Sequence, residues 1–130
     1  MYWYEKDYIM RLIHGIAQML AALFFGRKLE TEELKVSFGE EFGSSSDYLC
    51  GLVDNGEINA AENRLFELID TSGMDTDALG SLILLFYDHV NSKDDAFLAA
   101  ADFSRDEIIR GLEDAMKAIN MEIPEYLRIG

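Results

Sequence analysis

This 130-residue sequence holds one proline, one cysteine and only 11 basic side chains against 25 acidic ones. Scarcity of proline removes the residue that most often interrupts helices and leaves room for long ones. The lone Cys50 excludes an intrachain disulfide, no metal-ligand cluster surrounds it, and a reducing cytoplasm fits that usage. A formal net charge of -14 repels nucleic-acid backbone and anionic membrane at long range, so no nucleic-acid partner is expected. Also missing are a glycine-rich phosphate loop, a serine-centred elbow and a zinc signature, so no catalytic residue, cofactor or metal is expected. What is present is apolar: 49% of residues are hydrophobic. That is sufficient for one helical domain over residues 1–130, burying roughly two thirds of its unfolded surface.

The most apolar stretch is YWYEKDYIMRLIHGIAQMLAALFFG, from Tyr2 to Gly26. A secretory signal needs basic residues ahead of its apolar run, but Glu5 and Asp7 flank the only early cation, Lys6. A spanning helix needs about 20 predominantly apolar residues, and Arg11, His14 and Gln18 would sit in hydrocarbon, so no membrane span is expected. At about 100° per residue, Ile9, Leu12, Ile13, Ile16, Ala17, Met19, Leu20, Leu23 and Phe24 cover half the circumference, while Arg11, His14, Gly15 and Gln18 form a polar stripe. One neighbouring helix does not cover so wide a face. This helix is therefore the central member of the core or one half of a self-association seam; a membrane-surface helix is disfavoured because its polar side lacks the required Lys and Arg. Tyr2, Trp3, Tyr4 and Tyr8 extend the apolar surface with rings of the kind enriched at interfaces, and either cover the end of the bundle or join that seam.

Periodicity fades from Arg27 to Gly43, which reads as an irregular connection with a short extended piece at LKVSF, Leu34 to Phe38, pinned against the helices by the interleaved Leu29, Leu34, Val36, Phe38 and Phe42. Helix signals then follow closely. Ser45 or Ser46 caps a short helix through Val53, and DNG at Asp54 to Gly56 turns the chain. Ile58, Ala61, Leu65, Leu68 and Ile69 mark one face of the next helix. Asp75 or Thr76 caps a helix to about Asn91, apolar on both sides and so enclosed by neighbours. Ser104 with Glu107 is a capping box opening the last helix, buried through Ile108, Ile109, Leu112, Met116 and Ile119. The expected fold is all-α, five to six antiparallel helices, with tetratricopeptide-like hairpins packed on the long apolar N-terminal helix.

NGEINAAENRLFE, Asn55 to Glu67, resembles the middle of a tetratricopeptide repeat, with Gly56, Ile58 and Ala61 at its turn, large and small places. No second copy stands about 34 residues away, so a solenoid is excluded and an ordinary helical hairpin stays open beside the repeat-like one. DYIMRLIHGIAQMLAALFFG, GEINAAENRLFE and FYDHVNSKDDAFLAAADFSRDEIIRGLEDAMK together resemble a family of small acidic proteins of Firmicutes known as a domain of unknown function. The resemblance implies a helical fold and a bacterial cytoplasmic home, and brings no activity.

His14 reads as a surface hydrogen-bonding group, and His89, near Asp88, Asp94 and Asp95, lacks a second histidine or cysteine at ligand spacing. Cys50, on an apolar helix, reads as a packed thiol. The function this supports is a non-catalytic protein-interaction module, a homodimer whose seam is Tyr4, Tyr8, Leu12, Ile16, Leu20 and Leu23, with acidic hairpins free to receive a protein partner. The alternative is a small-ligand sensor or unrecognised enzyme with a pocket between helices near His14 or His89.

Overall fold

The computed structural model describes residues 2–125, with side chains from Tyr8 onward. These residues form an all-helical fold of seven helices: α1 (Tyr2–Phe25), α2 (Thr31–Phe38), α3 (Glu40–Asp54), α4 (Ile58–Thr71), α5 (Thr76–Asn91), α6 (Asp95–Ala100) and α7 (Arg105–Ala118).

The hub is α5. Every residue from Ala78 to Tyr87 is buried, as its two-sided apolar sequence requires, and α1, α2, α3, α4 and α7 all pack on it. Asp75 opens this helix by accepting a hydrogen bond from the Ala78 N–H at 2.9 Å. A Cβ at Gly80 would collide with the Phe25 ring, so glycine there lets the end of α1 close onto α5. The apolar N-terminal helix is consequently not the centre. It lies against α5 on one side, because α5 has the more nearly continuous apolar circumference.

Residues 27–43 are mostly helical rather than irregular. LKVSF is the second half of α2, not an extended piece. Glu32 and Glu33 complement the positive end of α2, and Leu34 is buried beneath it. The Lys35 ammonium reaches the Asp47 carboxylate of α3 at 2.6 Å. Gly39, at φ 88°, breaks the helix in a conformation that side chains rarely adopt. Phe38 and Phe42 meet across that break with ring centroids 5.2 Å apart. Because α3 starts directly after Gly39, Ser46 is a buried mid-helix residue and not a cap.

The capping box at Ser104 is present, each partner donating its backbone N–H to the other's side chain. Beside it, Arg105 fastens three elements. Its Nη1 donates to the Asn91 carbonyl at 2.7 Å and to Asn91 Oδ1 at 2.9 Å. Its Nη2 donates to the Lys93 carbonyl at 2.8 Å and the Asp95 carboxylate at 3.2 Å. Buried Asn91 passes the link on, donating through Nδ2 to the Met10 carbonyl of α1 at 2.8 Å. The orphan carbonyls at the end of α5 thus find a guanidinium instead of water.

Candidate self-association surface

Helix α1 has 24 residues, roughly 36 Å at 1.5 Å per residue. Its inner face of Ile13, Ile16, Ala17, Leu20 and Ala21 is buried. The polar stripe lies along one edge and is used within the chain. His14 Nδ1 is 2.7 Å from the Asp88 carboxylate of α5. The Gln18 side chain accepts from the Leu29 N–H at 3.2 Å and donates to the Leu29 carbonyl at 3.4 Å.

The outer face is the unusual one. Tyr8 is 60% exposed, Met19 51% and Leu23 52%, with Gly15 and Ala22 exposed between them and Leu12 half-buried. Tyr8, Leu12, Gly15, Met19 and Ala22 follow one another at steps of three and four, with Leu23 beside Ala22, on the side of the helix turned away from α5. No Asp or Glu occurs from Tyr8 to Leu29, in a protein of net charge -14. From Tyr8 onward, the outer face of α1 is therefore both apolar and free of the acidity that covers the rest of the chain.

Of the residues expected in the seam, Tyr8 and Leu23 lie on this outer face and Leu12 at its margin. Ile16, 9% exposed, and Leu20, fully buried, face the core and have no area left for a second chain. The Tyr4 side chain, with those of Tyr2 and Trp3, lies outside the described residues. Gly15, Met19 and Ala22 were absent from the expected seam. Reading all apolar positions as one wide face hid them; the heptad spacing running from Tyr8 through Leu12, Gly15, Met19 and Ala22 was the available signal.

The other candidate groups lie apart from this surface. His89 Nε2 and the Lys93 ammonium both stand 2.7 Å from one Asp54 oxygen. Lys93 first, and His89 with it, hold the Asp54 carboxyl below the usual range. Burial pushes the Cys50 thiol up, which disfavours the nucleophilic thiolate. Among the described residues, no group of three His, Cys, Asp or Glu side chains is placed to hold a metal ion. A groove of about 360 Å³ between α1 and α5 is lined by Met10, Arg11, His14, Asp88, Asn91 and Ser92.

A part-buried polar contact also joins α4 to α5. The Tyr87 hydroxyl donates to Glu62 at 2.6 Å, and Gly111 leaves the room, since a Cβ there would strike both groups. Burial raises the Glu62 carboxyl above its ordinary range, against the opposing hydrogen bond from Tyr87, with Glu107 and Asp114 adding to the rise. An acid that binds its proton more tightly folded than unfolded contributes stability below the unfolded pKa, and loses it as pH rises through the folded value. Glu62→Gln keeps an acceptor for Tyr87 and removes the charge. Its melting temperature is expected to gain on wild type as pH rises from about 4, near the unfolded Glu value, to 7. An unchanged difference at the two pH values would contradict the assignment.

Comparison with protein families matches residues 3–120, from α1 through α7, to a family of unknown function, DUF6483. The chain belongs to DUF6483. The DUF6483 match therefore takes in the outer stripe of α1, the α5 hub and the Arg105 link together. Comparisons with curated proteins and with solved structures give no match.

Proposed function

We propose that this DUF6483 protein is a non-catalytic interaction module that self-associates through the outer face of α1. The observation that carries the reading is the stripe of Tyr8, Gly15, Met19, Ala22 and Leu23, exposed among the described residues with half-buried Leu12 at its margin, apolar and acid-free on an otherwise acidic chain. Exposed apolar area of this kind favours a protein contact by about 25 cal/mol per Å² removed from water. Two copies meeting elsewhere would bring acidic surfaces together.

In this reading α3 and α4 form a tetratricopeptide-like hairpin, supported by Gly56 at φ 81° in its turn and by the complete burial of Ile58 and Ala61. Its acidic exterior is the surface left for a further protein partner. A bacterial, Firmicutes-type cytoplasmic setting goes with the reading.

Helix α1 is also long and apolar enough to cross a membrane over Tyr8–Phe25, and only 28% of that window is buried. Pairing of His14 with Asp88 and of Gln18 with Leu29 favours packing on protein, since a spanning helix would forfeit both.

Sedimentation velocity at micromolar concentrations tests the proposal. Wild type is expected to shift from monomer to dimer with concentration. Met19→Glu, placing a charge at mid-stripe, is expected to weaken the dimer by at least about tenfold, or ~1.4 kcal/mol, without changing helicity. A wild type that stays monomeric, or that floats with neutral lipid vesicles, would overturn it.

A further inference from the structure

Resting on that reading, we infer that the two copies pair antiparallel along α1, with Leu12 against the partner's Ala22 and Gly15 against the partner's Met19. Positions 8, 12, 15, 19 and 22 of α1 alternate steps of four and three, the spacing of a two-helix seam. Their occupants are Tyr, Leu, Gly, Met and Ala. Run against a reversed copy of itself, this series sets Leu12 opposite Ala22 and Met19 opposite Gly15, large against small, while Tyr8 falls beside the partner's Gly26, just past the end of the helix, and Leu23 flanks the seam. Run in the same direction, it sets Tyr on Tyr, Leu on Leu and Met on Met, and leaves the glycines facing gaps. Close packing around the glycines favours the first arrangement.

Charge selects the same direction. In sequence, Glu5, Lys6 and Asp7, net acidic, precede the stripe, and Arg27 and Lys28, net basic, follow it ahead of Glu30. Reversal brings acidic positions toward basic ones, whereas a parallel pair opposes like with like. A surface complementary to itself under a two-fold rotation is what a symmetric homodimer needs, which argues for a second copy as the occupant.

Gly15 supplies an independent observation. Within the chain, a Cβ at Gly15 would meet nothing within 4 Å. Alanine is the better helix former at such a mid-helix position, so among the described residues nothing inside the protomer accounts for glycine. The arriving side chain of the partner's Met19 does.

The test is disulfide cross-linking with Leu12→Cys and Ala22→Cys, each in a Cys50→Ser background, oxidised separately and mixed. Ten helical residues span roughly 15 Å, beyond the reach of about 7 Å between bridged Cα atoms. Antiparallel pairing therefore predicts a covalent dimer in the mixture and none from either variant alone. Covalent dimers from each variant alone would mean a parallel seam, overturning this inference while leaving self-association standing. A sedimenting dimer without any cross-link would likewise overturn the register, and a monomer throughout would sink both.

Because Leu12 is half-buried, spin labels at exposed Arg11 and Leu23 give a second readout. Mixed labels are expected to lie closer together than either like pair, and the reverse order would refute the antiparallel direction.

Discussion

Phe86→Ala is expected to remove most of the stability of the fold, about 3–5 kcal/mol of a total on the order of 5–15. Phe86 is 1% exposed on the hub helix, and its ring meets that of Tyr87 nearly at right angles with centroids 4.9 Å apart. Truncation there opens a cavity against several helices at once, and the intact shell around α5 has no free side from which to collapse into it. Val36→Ala serves as the comparison: Val36 is 86% exposed, and its loss is expected to fall within about 0.5 kcal/mol. Urea denaturation of both variants measures the contrast. A Phe86→Ala midpoint close to that of Val36→Ala would show that α5 is not the hub.

Arg105→Ala is expected to cost about 2–4 kcal/mol, although half the groups it touches are backbone carbonyls and only Asp95 bears a charge. The cost comes from what is left behind. Asn91 is 3% exposed, and its Oδ1 and carbonyl lose the donors that satisfied them, while the link from Asn91 to Met10 loses its anchor. Arg105→Lys is expected to recover little, because one ammonium cannot place donors on the fork of acceptors that the guanidinium spans. Equal stability of the lysine variant and wild type, by the same denaturation, would contradict this account.

These two residues mark the boundary of what the sequence makes legible. That α5 is enclosed follows from LGSLILLFYDHV, apolar on every side, and local pairs such as Ser104 with Glu107 announce helix starts because both partners lie within one turn. Arg105 is invisible at that range: its partners come from α5, from the turn after it and from α6, and nothing near Arg105 in the chain marks it out from other surface cations. The same limit hid α2. The interleaved Leu34 and Phe42 announce that the segment packs, and both are buried, but the charges of Glu32, Glu33 and Lys35 and the glycines around it mask the helix itself.

For the outer surface of α1, the apolar residues were evident but their division between two faces was not. Which half turns inward depends on where α5 lies, and α5 is more than fifty residues away. Ile16 and Leu20 therefore went to the core, while Met19, between them in sequence, stayed outside.

The hub's place in the chain bears on how the molecule is made. During synthesis from the N-terminus, α1 leaves the ribosome with both greasy sides bare, and its His14 contact to Asp88 waits for 74 further residues. At roughly 5–20 residues per second, that interval lasts several seconds to a quarter of a minute. Throughout it the nascent chain presents an uncovered apolar rod, and neighbouring nascent chains on the same message would be the nearest surfaces able to shield it.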